Sequence, residues 1–169
     1  DNPVVSLERG ILLSNGNFDS TITTLALDSL RLGFNQIASV ATKRIQKLLW
    51  AEFSGLNTVL AKTPQAGEGM FLNSLGRAAV ALSAEIKLLS VPASMVEVAE
   101  FNEGIEDHTT LSPLSLKRSI ELLRVLQKIV VLEMFVAVRA IELRGLEPGG
   151  SKRLGLGTAH ATDLIRSSC

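Results

Sequence analysis

The sequence predicts an all-α protein, a bundle of long helices, and three observations carry that prediction. Apolar residues recur at three- and four-residue spacing through the stretches 19–50, 70–90 and 112–144. Hydrophobic residues make up 46% of the chain while aromatic ones supply 4%, so the core is built from aliphatic side chains. Glycine and proline gather between those stretches, at Ser54-Gly55, Pro64, Gly67, Pro92, Gly104 and Glu147-Pro-Gly-Gly150. A chain of 169 residues suffices for one domain, which buries about 70% of its unfolded surface. The whole of 1–169 therefore reads as a single helical fragment.

Residues 1–18 read as an extended and turn lead-in. Val4 to Leu13 is a short extended segment, and Asn15-Gly16 carries a strong turn signal because both residues tolerate positive φ. Asp19 or Ser20 then caps a helix over 19–50. Ile22, Leu25, Leu30, Phe34, Ile37, Ala41, Ile45 and Leu48 form its apolar face, and Thr24, Asp28, Arg31, Asn35, Thr42 and Gln46 its opposite, polar face. Phe53 to Gly69 is loop. The second long helix, 70–90, stops ahead of Pro92, which disfavours helix at the residue before it. Pro92 to Thr110 is a short helix plus loop, rich in glutamate and broken at Gly104. Ser112-Pro113 supplies an N-cap followed by proline at the first helical position, opening a helix over 112–144. A short helix over 158–167 closes the chain.

The 112–144 helix is the most informative. Lys117, Glu121, Arg124 and Lys128 form one polar stripe, whose continuation falls on Val131, Leu132 and Phe135. The middle of the helix is apolar nearly all round and needs neighbours on every side. Leaving four or five such side chains in water forgoes roughly 6–15 kcal/mol at about 1.5–3 each, comparable to the stability of a whole domain. Other chains, or missing parts of the same chain, must cover that surface, and a homo-oligomer whose core is made of these helices is the expected answer.

Lysine plus arginine balance aspartate plus glutamate at 17 each, so no net field draws nucleic acid or an anionic membrane. The most apolar run, Ile129 to Val138, is broken by Glu133 and is too short to span a bilayer. The lone Cys169 forms no internal disulfide, and with no leader visible a cytoplasmic location is expected. Asp1-Asn-Pro3, without an initiator methionine, suggests a trimmed chain or a piece of a longer one. Gly155-Leu-Gly157 follows a helix and lacks the third glycine of a dinucleotide fingerprint. His108 and His160 have no partners at metal-ligand spacing, so no metal is expected. In Gly104-Ile-Glu-Asp-His108, read from the residues alone, helix capping and surface charge compete with a binding role.

In order along the chain, Asp1-Asn-Pro3, Ser14-Asn-Gly-Asn-Phe18, Phe53-Ser-Gly-Leu56, Ala84-Glu-Ile-Lys87 with Pro92-Ala-Ser94, Gly104-Ile-Glu-Asp-His108 and Leu154-Gly-Leu-Gly-Thr158 resemble segments of one family. It is the aromatic amino acid and histidine ammonia-lyases, which use a methylidene-imidazolone prosthetic group. The ordered set covers nearly the whole chain and resembles the C-terminal portion of such an enzyme. The departures are Asp19-Ser20 after Phe18, Ile105 in place of a common glutamine or asparagine, and a poor match over 69–79.

The resemblance implies the fumarase/aspartase-like helical fold, a homotetramer, and elimination of ammonia from L-histidine or an aromatic L-amino acid (phenylalanine or tyrosine) to give an α,β-unsaturated acid. It also implies site residues. Glu106 is the catalytic candidate, orienting the substrate amine or moving a proton, with a helix cap as its alternative. Phe18 and Ile105 are substrate-binding candidates, Phe18 having the alternative of a hydrophobic staple for the first long helix. Asn17, Asp107 and His108 are supports, His108 bonding locally. The prosthetic group forms from Ala-Ser-Gly, which this sequence lacks, and the sequence has no tyrosine to serve as the family's base. Alone, the chain is expected to be inactive. An aminomutase fragment and a non-catalytic helical oligomerisation module remain the alternatives.

Overall fold

The computed structural model describes residues 4–13, 19–63, 69–96, 108–145 and 154–168. Two strands, β1 (Val4–Ser6) and β2 (Ile11–Leu13), pair antiparallel with Val4 opposite Leu13 and Ser6 opposite Ile11. The expected single extended segment is thus a hairpin. It turns through 7–10, where Gly10 takes φ +60°, a backbone angle that costs glycine nothing. The Asn15-Gly16 turn signal lies outside the described residues.

Helix α1 (Thr21–Leu49) follows. A four-residue helix α2 (Ala51–Ser54) ends at Gly55, whose φ of +66° lets its N–H return to the Ala51 carbonyl. A 3-10 turn at Thr58–Leu60 plugs the fully buried Leu60 into the core. The stretch read as plain loop therefore carries ordered, core-forming structure. Helix α3 (Gly69–Leu89), a 3-10 turn at Ala93–Met95, α4 (Ser112–Leu143) and α5 (Leu156–Ser168) complete the chain. Helix α4 stops at Gly145 (φ +62°), ahead of the Glu147-Pro-Gly-Gly150 breaker.

The three long helices pack along one another. Ala38, Ala41, Ile45 and Leu49 of α1 meet Leu72, Ala79 and Ile86 of α3 and Leu122, Val125, Ile129 and Val136 of α4. Each set repeats at three, four or seven residues, as one helix face requires. Gly76 permits the close approach of α3 to α1, since a Cβ there would sit 2.7 Å from Leu49 Cδ1.

Two sequence expectations are corrected by burial. In the first half of α1 the polar face points inward: Thr24, Asp28 and Arg31 are buried, while Ile22 is 84% and Leu25 51% exposed. The reason is that the Thr24 hydroxyl, the Asp28 carboxylate and the Arg31 Nη groups find hydrogen-bond partners, as described below, and hydrogen-bonded polar groups can be buried. The mid-section of α4 is covered unevenly. Leu132 and Phe135 pack partly buried against the core, whereas Val131 is 64% exposed. Two neighbouring helices cannot cover every side of a third.

Candidate functional site

The beginnings of α1 and α4 lie side by side, and a continuous set of polar contacts joins them. Asp19 Oδ1 accepts the Thr21 backbone N–H at 2.8 Å and the Thr21 hydroxyl at 2.5 Å. Thr21 Oγ1 is also 2.8 Å from His108 Nε2, and Asp19 Oδ2 is 4.0 Å from the same nitrogen. The hydrogen bonds from Thr21, side chain first and then backbone, hold the Asp19 carboxyl below the usual carboxylate range.

Immediately inward lies a cluster of hydroxyls. Ser20 Oγ is 2.8 Å from Thr110 Oγ1 and 2.5 Å from Ser112 Oγ, and the Thr24 hydroxyl donates to the Thr110 carbonyl at 2.6 Å. Ser20 occupies the N-cap position of α1 without a side-chain cap bond, because its hydroxyl is spent on α4. Ser112 is likewise the first residue of α4 rather than its cap. The residue before it, Leu111, turns through φ +53°.

Deeper still is a buried ion pair. Arg31 is fully buried, and its Nη2 donates to Asp28 Oδ1 at 2.5 Å. Arg31 Nη1 donates to the Ser115 carbonyl at 2.9 Å and the Ser115 hydroxyl at 2.7 Å. Asp28 Oδ2 accepts the Ser94 backbone N–H and hydroxyl. Burial pushes the Asp28 carboxyl up, but the Ser94 and Ser115 hydrogen bonds outweigh it and hold it well below the usual range. Three elements (α1, α4 and the 93–95 turn) are thereby fixed to one carboxylate.

Of the residues assigned from sequence, His108 lies in this cluster. Asn17, Phe18, Ile105, Glu106 and Asp107 lie outside the described residues. The two segments that carry them nevertheless run into neighbouring residues, since Phe18 directly precedes Asp19 and Asp107 directly precedes His108.

The participants that sequence reasoning missed are Asp19, Thr21, Asp28, Arg31, Ser94 and Ser115. A signal for them exists. The Thr24, Asp28, Arg31 stripe on α1 has a counterpart in Ser112, Ser115 and Ser119 on α4, small hydroxyl residues at helical spacing able to accept a buried guanidinium.

A cleft of about 440 Å³ between α3, α4 and α5, lined by Phe71, Phe135, Arg139, Glu142 and Arg166, is remote from this cluster. Phe135 lies about 35 Å from Ser112 along α4, at 1.5 Å per residue. Among the described residues, no group of three or more His, Cys, Asp or Glu side chains is gathered as for a metal ion. Nor is any helix among them long and apolar enough to cross a membrane.

Comparison with known proteins matches residues 1–167 to the family model described as aromatic amino acid lyase. Histidine ammonia-lyase of Stigmatella aurantiaca is 30% identical over 167 residues, which are 99% of this chain and 31% of that protein. Histidine ammonia-lyase of Bacillus subtilis is 26% identical over 151 residues, 89% of this chain and 29% of that protein. The chain thus spans about a third of the length of these relatives. Among solved structures, the ergothioneine-degrading enzyme ergothionase from Treponema denticola superposes with a TM-score of 0.84 at 28% identity, over 99% of this chain and 32% of that one. A phenylalanine aminomutase from Pantoea agglomerans shares the fold, with a TM-score of 0.84 at 22% identity, over 99% of this chain and 31% of that one.

Proposed function

The chain belongs to the aromatic amino acid lyase family, and from that premise we propose that it forms the helical part of an enzyme eliminating ammonia from L-histidine or an aromatic L-amino acid. Glu106 orients the substrate amine or shuttles its proton, Phe18 and Ile105 line the substrate, and Asn17, Asp107 and His108 hold them in register. The observation that supports this most is the contact of Thr21 with His108, 87 positions apart. His108 is the last residue of one segment that the family resemblance singled out, and Thr21 lies three positions after the other; general acid–base work needs groups from distant sequence brought within hydrogen-bond reach of one substrate.

The methylidene-imidazolone group of the family is an electron acceptor when bound, carrying electronics that side chains lack. This chain does not fit as its source: the sequence contains no Ala-Ser-Gly, and it contains no tyrosine for the base. Both come from elsewhere in the complete enzyme, and the isolated chain is inactive.

Assembly is the second part of the proposal. Ile22, Leu25 and Ile37 on α1 and Leu116, Ile120 and Val131 on α4 are all exposed on the single chain. Leaving such side chains in water forgoes stability, and further copies of the chain, as a tetramer in the complete enzyme, cover them.

The deciding experiment is Glu106→Ala in the full-length protein, assayed with L-histidine, L-phenylalanine and L-tyrosine for the unsaturated acid and for 2,3-migrated product. Loss of turnover with the protein still folded supports the assignment, and near-full elimination by the variant refutes it. A migrated amino acid as the main product would replace the lyase reading with the aminomutase one. Full-length protein that assembles but turns over none of the three would favour the oligomerisation module.

A further inference from the structure

Thr21 Oγ1 stands between two groups, Asp19 Oδ1 at 2.5 Å and His108 Nε2 at 2.8 Å, and its hydroxyl has one hydrogen to give. An ionised carboxylate is an acceptor only, so Asp19 cannot supply the hydrogen of its contact. Its carboxyl is held below the usual range by Thr21 itself, keeping it ionised at neutral pH. A hydroxyl-to-carboxylate bond is charge-assisted and roughly twice as strong as one to a neutral acceptor. The Thr21 hydrogen therefore goes to Asp19. That leaves Oγ1 an acceptor towards the ring, and Nε2 must carry a hydrogen to donate. The Asp19 Oδ2 atom 4.0 Å from Nε2 adds an electrostatic preference in the same direction.

Aspartate, hydroxyl and histidine together suggest a nucleophilic triad, but the wiring is the reverse. In a triad the carboxylate holds the imidazole, and the imidazole accepts the hydroxyl proton. Here the carboxylate holds the hydroxyl, so Thr21 is not activated for attack and acts on the ring instead.

We propose that Asp19 and Thr21 are positioning residues acting through His108: they hold its imidazole as the Nε2–H tautomer, so that Nδ1 is the nitrogen left to accept a hydrogen bond or a proton. The neutral ring has one donor and one acceptor nitrogen, and fixing the first assigns the second. Resting on the lyase reading, this gives His108 more than local support. It supplies an acceptor two positions after Glu106, suited to an N–H or O–H group such as a substrate ammonium or a protonated carboxyl.

The test has two arms. In the first, the ring nitrogens of ¹⁵N-histidine-labelled chain are correlated with their ring protons under alkaline conditions, where imidazoles are neutral. His108 is expected to show a protonated Nε2 and a bare Nδ1, against a tautomer average for the exposed His160 ring. Thr21→Ser should preserve that pattern. Asp19→Ala should shift the ring towards Nδ1–H, because the freed hydroxyl can then donate to Nε2. Asp19 and His108 are about half exposed, so these variants leave the core intact. An Nδ1–H ring in the unsubstituted chain, or a ring indifferent to Asp19→Ala, overturns the proposal.

In the second arm, the full-length enzyme carries His108→Gln, which offers a donor near the Nε2 position but no acceptor at Nδ1. A fall of at least tenfold in kcat with unchanged thermal stability is expected, and undiminished turnover overturns the role of Nδ1. Complete inactivity of the unsubstituted enzyme overturns the lyase reading and that role together, while the spectrum decides the tautomer by itself.

Discussion

The backbone N–H and the hydroxyl of Ser94 both donate to Oδ2 of Asp28, at 2.9 and 2.7 Å, across 66 positions of sequence. The other oxygen of the same carboxylate takes Arg31 Nη2 and the Ser115 hydroxyl. One side chain on α1 therefore ties down both α4 and the 93–95 turn. Because Arg31 has no exposed surface, its charge depends on this carboxylate for neutralisation.

Removing the carboxylate should be expensive. Breaking a buried ion pair from one side leaves an uncompensated charge and costs about 3–5 kcal/mol. Asp28→Ala is expected to lose that much in urea denaturation. The double variant Asp28→Leu with Arg31→Met is expected to recover most of it, since replacing both charges removes the desolvation cost as well. A double variant no better than Asp28→Ala would mean that the Ser94 and Ser115 bonds, not the buried charge, dominate.

Acid should act through the same residue. The folded state holds the Asp28 carboxyl well below the usual carboxylate range, so the unfolded chain takes up a proton first as pH falls. The stabilisation is complete above the unfolded value of about 3.9 and is lost progressively below it. Stability measured from pH 6 downwards should show an acid limb that is shallower in Asp28→Asn. An unchanged limb would assign acid sensitivity to other carboxylates.

The Arg44–Glu133 pair between α1 and α4 provides the contrast. Glu133 accepts from Arg44 Nε and, at 3.0 Å, from Nη2, and its hydrogen bond raises the arginine pKa, but Arg44 is 56% exposed. Solvent screening reduces such a pair to about 0.2–1 kcal/mol. Glu133→Gln is expected to cost no more than that, with the difference shrinking in high salt. A loss comparable to that of Asp28→Ala would show that Glu133 is shielded by more than this chain.

Val59 adopts φ +53°, ψ +28°, a left-handed conformation that is strained for a β-branched residue. The strain is about 1–2 kcal/mol, and asparagine tolerates the region far better. Val59→Asn is expected to raise the unfolding midpoint, with a gain of about 1 kcal/mol after some loss of packing. A lowered midpoint would show that the Val59 methyl contacts outweigh the backbone strain.

On the assembly reading, a charge on the outward apolar face should disrupt association without unfolding the chain. Ile37→Glu, at a position 51% exposed on the single chain, is expected to shift sedimentation towards smaller species while leaving the helical circular dichroism intact. Unaltered sedimentation would remove this face from any interface.

Much of the architecture was legible from periodicity. The α4 repeat of Leu122, Val125, Ile129 and Val136 marks a buried face directly, because apolar side chains at helical spacing have few alternatives to a common core. The Thr24, Asp28, Arg31 stripe was misread for a matching reason. A polar stripe normally faces water, and nothing local to α1 reveals that Ser94 and Ser115 wait to receive it. Likewise His108 was legible as a residue of interest, but its hydrogen-bond partner was not, since that partner, Thr21, lies almost ninety positions away.

By itself, then, the sequence determined that this chain makes long helices, where most of them break, and which family its ordered motifs resemble, because those properties reside in local spacing and residue type. Only the tertiary structure decided which face of α1 is inside, which hydroxyl meets the His108 ring, and which carboxylate holds three elements together. Such outcomes depend on whether a buried polar group finds its partner, and that partner comes from distant sequence.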